Sequence, residues 1–107
     1  MARNKELYAE AQRFVASGEI GDAILLLERA VEECEDNADV TKLLAKLNLR
    51  IDEVRAFQNW CHESLRIAPR DPEPHEMLAD YFEANGRAGE AEEERRVAAE
   101  LRQLVSS

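Results

Sequence analysis

The chain repeats itself every 34 residues, and this period limits the fold more than any other feature of the sequence. Displaced by 34 against itself, Leu44-Ala45 falls on Leu78-Ala79, and Phe14 falls on Asn48 and then Phe82. Gly18 falls on Asp52 and then Gly86, and Ala30 on Ser64 and then Ala98. Three ungapped units result, 4–37, 38–71 and 72–105, which take up nearly all 107 residues as one domain. A chain built this way buries the apolar face of each unit against its neighbours alone.

Each unit reads as two helices. Leu7, Ala11 and Phe14 are spaced by four and then three, one helical stripe, and Ser17-Gly18 ends it. Ala23, Leu27, Ala30 and Val31 form the stripe of a second helix. In the third unit Asp71-Pro72-Glu73 reads as a helix start, since Asp caps and Pro fits the first turn. Leu78, Ala79 and Phe82 follow, Asn85-Gly86 stops the helix, and Ala88, Ala91, Ala98 and Leu101 lie on the next. Ala, Leu, Glu and Arg dominate the composition, all helix formers, so the expected class is all-α.

The pattern resembles the tetratricopeptide repeat, a 34-residue helix–turn–helix unit. Counted from Asn4, Ala38 and Pro72, the small residue at position 8 is Ala11, Ala45 and Ala79. The aromatic at position 11 is Phe14 and Phe82, and the glycine at 15 is Gly18 and Gly86. Alanine at 20 is Ala23 and Ala91, alanine at 27 is Ala30 and Ala98, and proline at 32 is Pro69. Small residues let paired helices approach, and the aromatic fills the space between them. The middle unit departs most, with Asn48, Asp52, Phe57 and Ser64 at these places, and the bulk of Phe57 is expected to compensate for Asn48. The resemblance implies a right-handed superhelical solenoid of three repeats. It also implies a non-catalytic module, an adaptor or scaffold for another protein. The related 35-residue pentatricopeptide repeat binds RNA, and the ungapped period of 34 with a pI near 4.7 opposes that reading.

Charge narrows the partner. The 23 acidic and 14 basic residues leave a net charge of -9, which excludes a general nucleic-acid or anionic-membrane binder. Unit one carries 3 basic and 9 acidic residues, unit two 6 and 5, unit three 4 and 9. The run Glu92-Glu93-Glu94 splays around a helix and reads as a solvated face. Catalysis, cofactors and metals are not expected. Cys61 and His62 are adjacent and point about 100° apart on a helix, so they form no nucleophile–base pair. Cys61, His62 and His75 lack zinc spacing, and no Gly-rich phosphate loop exists. His75 reads as a half-buried packing residue. Two reduced cysteines, Cys34 and Cys61, no apolar stretch behind Met1 and no membrane-length apolar run lead to the expectation of a cytoplasmic protein.

The family resemblance implies a concave surface lined by the first helix of each unit. Its positions hold Lys5, Tyr8, Gln12, Val15 and Ala16 in unit one. In unit two they hold Asp39, Lys42, Lys46, Leu49 and Arg50, and in unit three Glu73, Glu76, Asp80, Glu83 and Ala84. Spacing agrees: Lys42, Lys46 and Arg50 share one face, as do Glu73, Glu76, Asp80 and Glu83. A basic ridge therefore stands beside an acidic one. The two ridges either satisfy each other or read a peptide or helix of mixed charge. A subset of the family clamps the C-terminal carboxylate of cytosolic heat-shock chaperones with Lys, Asn and Arg. Its clamp positions here hold Tyr8, Gln12, Leu43, Glu73 and Met77, so that binding is not expected.

Two further surfaces are candidates for a partner or a second copy. Leu25, Leu26 and Trp60 fall where second helices face outward, a convex patch. Leu101, Leu104 and Val105 lie on a last helix with nothing stacked upon it. These carry the alternative, a self-associating structural protein, against an expected monomer.

Overall fold

The computed structural model describes residues 2–34 and 36–106, with the side chains of 5–34 and 36–104. Six helices follow in order: α1 (Ala2–Ala16), α2 (Ile20–Glu33), α3 (Ala38–Arg50), α4 (Val54–Ile67), α5 (Glu73–Ala84) and α6 (Ala88–Ser106). Each odd helix packs most closely on the even helix after it, and α2 and α4 pack on the next odd helix. The fold is an all-α solenoid of helical hairpins.

The turns inside the hairpins show why the period is 34. Helix α1 ends with the amide of Glu19 donating to the carbonyl of Phe14 at 2.8 Å and that of Gly18 donating to Val15 at 3.0 Å. This is the Schellman arrangement, and it needs left-handed backbone at the residue after the cap. Gly18 supplies it with φ of 81°, and Gly86 with 74°. In the middle unit the same bonds recur, Glu53 to Asn48 at 2.8 Å and Asp52 to Leu49 at 3.1 Å. Asp52 takes φ of 61° there, a strained conformation for most side chains that Asp tolerates better than others. The middle unit thus loses its glycine and keeps its turn.

Small residues line the contacts between helices. Ala11, Ala45 and Ala79 are fully buried, as are Ala23 and Ala30. One core cluster gathers Leu7, Leu27, Val40, Leu44 and Leu47, and a second gathers Ala45, Phe57, Cys61 and Leu78. Phe57, fully buried, meets the ring of Tyr81 at 5.5 Å and so ties the second unit to the third. Asn48 is buried and donates its amide to the Leu44 carbonyl at 2.8 Å. Thr41 and Ser64 touch through their hydroxyls at 2.7 Å, and each also reaches a backbone carbonyl, of Ala38 and Trp60. Among the described residues no buried side-chain nitrogen or oxygen lacks a partner. Among them too, no helix is long and apolar enough to cross a membrane.

Candidate protein interface

The first helices of units two and three are joined by charge. Lys42 of α3 reaches Asp71 at 2.8 Å and Glu73 at 3.0 Å, and Lys46 reaches the other oxygen of Glu73 at 3.0 Å. Asp71 precedes α5 and accepts the amide of Glu73 at 3.0 Å, so it also helps to start that helix. Burial by itself would lift the Asp71 carboxyl. The hydrogen bonds from Lys42 and from the Glu73 amide, with the charges of Lys42 and Arg102, outweigh it and hold that group below the ordinary carboxylate value. The hydrogen bond from Lys42 lowers Glu73, burial opposes it, and Lys46 lowers it further. Burial would lower the Lys42 ammonium, yet its bonds to Asp71 and Glu73 raise it above its ordinary value.

The rest of the acidic ridge turns the other way, toward α6. Glu76 accepts two bonds from Arg102, at 2.6 and 2.8 Å. Arg95 donates to Asp80 at 3.2 Å and also to Glu83. The two ridges therefore meet only at Glu73. Arg50 is exposed and makes no ion pair with a described residue. Lys5 and Gln12 are exposed on α1, while Tyr8 packs against the first core cluster and Leu49 against the second. His75 is half-buried and contacts Glu94 through Nδ1 at 2.6 Å.

The arginines are the part that the ridge pattern alone does not show. They carry a signal in the register all the same. Arg95 stands 34 residues after Cys61 and 68 after Leu27, both fully buried. A charge at a place that is apolar twice before marks a helix face that no further unit covers among the described residues.

The outward residues fall into two places. Leu25 is 65% exposed and shares a crevice with Leu26 and Phe14. Trp60 lies in another, between Val31 of α2 and Ala56 and Asn59 of α4, and packs against both core clusters. Arg66 sits at its rim, held by Glu63 at 2.7 Å and Asp36 at 3.5 Å. Leu101 is half-buried and Leu104 is 62% exposed. The side chain of Val105 lies outside the described residues.

Chemistry at the thiols is subdued. Burial, with the charge of Glu94, pushes the Cys61 thiol up to about 12, so its thiolate is scarce at neutral pH. Among the described residues no three His, Cys, Asp or Glu side chains form a group able to hold a metal ion.

No family model and no curated protein matches the sequence. Solved structures do. The second tetratricopeptide domain of Spaghetti (RPAP3), bound to the HSP90 peptide SRMEEVD, matches at a TM-score of 0.81 and 15% identity. That match covers 92% of this chain and 92% of the domain. This chain has the tetratricopeptide-repeat fold. MamA matches at a TM-score of 0.89 and 18% identity over 96% of this chain, which spans 60% of the MamA chain. The Yersinia enterocolitica type III secretion chaperone SycD, in complex with a peptide of the translocator YopD, matches at a TM-score of 0.83 and 18% identity. The aligned part is 91% of this chain and 74% of SycD.

Proposed function

We propose that the chain is a non-catalytic protein-interaction module, one domain of units 4–37, 38–71 and 72–105. In this reading it holds a peptide or helix of a partner along the first helices of its units, an adaptor or scaffold working in the cytoplasm. The observation that carries the reading is the row on α3 and α5. Lys46, Arg50, Asp80 and Glu83 stay exposed there beside half-buried Leu49, on a scaffold whose charges are fixed by Lys42 and Arg95. Mixed charge on a rigid support favours one orientation of a partner over others. Two structurally similar proteins, Spaghetti and SycD, were solved with peptides bound, which supports the same use of this fold. Lys5, Tyr8, Gln12, Glu73 and Glu76 complete the proposed surface.

A chaperone-type carboxylate is not the ligand in this proposal. The carboxylate of Glu73 already lies between Lys42 and Lys46, where it would repel another. Self-association is the competing reading. It draws on the exposure of Leu104 and Leu25, and the charges of Arg95 and Arg102 on the last helix oppose it.

The test is affinity capture with mass spectrometry, then repetition with Lys46→Gln combined with Arg50→Glu. Lys42 is left in place because its loss would also unlink α3 from α5. The captured partner should be lost while helicity is unchanged, since exposed sites shift stability by about 0.5 kcal/mol or less. A partner retained at equal salt would move the site off this surface.

A further inference from the structure

The repeat register supplies a reference for the outward face of α2. Asp22, Leu25, Leu26, Arg29 and Glu32 each stand 34 residues before Ala56, Asn59, Trp60, Glu63 and Arg66. The later five line the crevice on α4, and its far wall is Val31 of the preceding second helix, α2. The earlier five line the matching crevice on α2, about 530 Å³, whose far wall is Glu10 and Phe14 of α1. A preceding second helix borders this face in the second unit; in the first, α1 of the same hairpin forms the wall, and among the described residues no preceding second helix does.

The two crevices differ in chemistry. On α4 the rim charges Glu63 and Arg66 pair with each other at 2.7 Å. In the first-unit crevice the acids Glu10 of α1 and Asp22, Glu28 and Glu32 of α2 surround an apolar floor of Phe14, Leu25 and Leu26, with Arg29 as the one cation in the lining. None of the four acids makes an ion pair with a described residue. Glu10 also stands where the later units carry Leu44 and Leu78, 0% and 2% exposed. Another repeat of this chain's own kind stacked there would bury that carboxylate among apolar side chains, at a desolvation cost. A second copy is further opposed by the net charge of -9 that each copy brings. A cationic helix meets neither obstacle.

We propose that this face of α2 docks an amphipathic helix of another protein, one that carries Lys or Arg beside its apolar stripe. Asp22 to Glu32 span roughly 15 Å at about 1.5 Å per residue, room for apolar anchors at i, i+3 or i+4 and i+7. The leucines supply contact area, and the acids select the charge and steer the approach. The surface is separate from the one on α3 and α5, so it stands or falls independently.

The probe is a fluorescein-labelled peptide of about 16 residues, Leu on one helical face and Lys on the other, followed by anisotropy at about 0.15 M salt. Leu25→Ser and Glu28→Lys should each weaken binding about tenfold. Leu104→Ser, at the other exposed leucine, and Glu92→Lys, with the same change in net charge, should alter it less than about twofold. A Leu/Glu peptide and a proline-interrupted Leu/Lys peptide should bind far more weakly. No binding to the unchanged protein at micromolar concentration overturns the proposal. Equal losses from the paired variants overturn it too, as unspecific charge attraction. So does a doubled mass in light scattering that Leu25→Ser abolishes, which makes a second copy the occupant.

Discussion

The ion pair of Lys42 with Asp71 should be a measurable tie between the second and third units. Its side chains are 18% and 20% exposed and 2.8 Å apart, so it lies between a surface pair and a buried one. Exposed pairs contribute about 0–1 kcal/mol, and hydrogen bonds to charged groups about 1.5–3 kcal/mol. Solvent reaches both groups, so a coupling of about 1–2 kcal/mol is expected. The measurement is a double-mutant cycle of Lys42→Met, which keeps the apolar stem, and Asp71→Asn, which keeps an oxygen for the Glu73 amide. Urea unfolding of the four proteins, with equal slopes, gives the coupling. Its dependence on pH follows from the directions of the shifts. Asp71 and Glu73 are held below their ordinary values, so their contribution is complete above about 3.9 and 4.3. It fades as pH falls through their lower folded-state values. Lys42 is raised, so its contribution is complete below about 10.4 and fades only above its higher folded-state value. The coupling should thus be flat between about pH 5 and 9 and shrink in strong acid. A coupling under about 0.3 kcal/mol at neutral pH, or one that survives acid unchanged, refutes the reasoning.

Three other outcomes follow from single sites. Ala79→Leu adds bulk at a fully buried position and should cost about 1–3 kcal/mol, read as a drop in melting temperature; an unchanged melting temperature would contradict the packing. Gly86→Ala puts a Cβ into open space at φ of 74°, so the penalty of about 1–2 kcal/mol is backbone strain alone; the same loss from Gly89→Ala, where φ is helical, would refute that cause. A thiol reagent at pH 8 should label Cys34 quickly and Cys61 only on unfolding, because Cys61 is fully buried and its thiol is pushed up to about 12; two fast thiols would disprove it.

The fold was legible because the period acts on backbone as well as side chains. Gly18 and Gly86 mark turns that their positive φ values require, and Ala11, Ala45 and Ala79 mark contacts where only a small residue fits. Asp52 shows the limit of that logic: the turn persists without its glycine, so the motif in one unit had to be inferred from the other two. The surface was legible only in part. Spacing placed Lys42, Lys46 and Arg50 on one face, but burial and pairing depend on neighbours that are distant in sequence. Lys42 lies under Asp71 and Glu73, while Arg50 stays exposed two turns away. Leu25 and Trp60 sit at comparable outward places, yet the walls of their crevices come from different helices.

The same register decides how the last helix meets solvent, and from that a prediction on association follows. At the place where Leu27 and Cys61 are buried by the next unit, α6 carries Arg95, engaged with Asp80 and Glu83. Seven residues on, Arg102 holds Glu76 at 2.6 Å. A second copy docking here would desolvate both arginine clusters while gaining the exposed part of Leu104 and the half-buried Leu101. Buried charges cost more than one leucine returns unless they are fully paired. Each copy also brings a charge of -9, a repulsion screened beyond about 8 Å at physiological salt. Light scattering should therefore give one species of 12.2 kDa at low salt. Raising the salt removes the long-range repulsion but not the desolvation cost, so the mass should not change. Arg95→Leu with Arg102→Leu removes that cost and exposes apolar surface in its place, and this variant should associate, more strongly at high salt. A doubled mass for the unchanged protein, or a variant that stays monomeric at high salt, would show that the arginines do not keep this face apart.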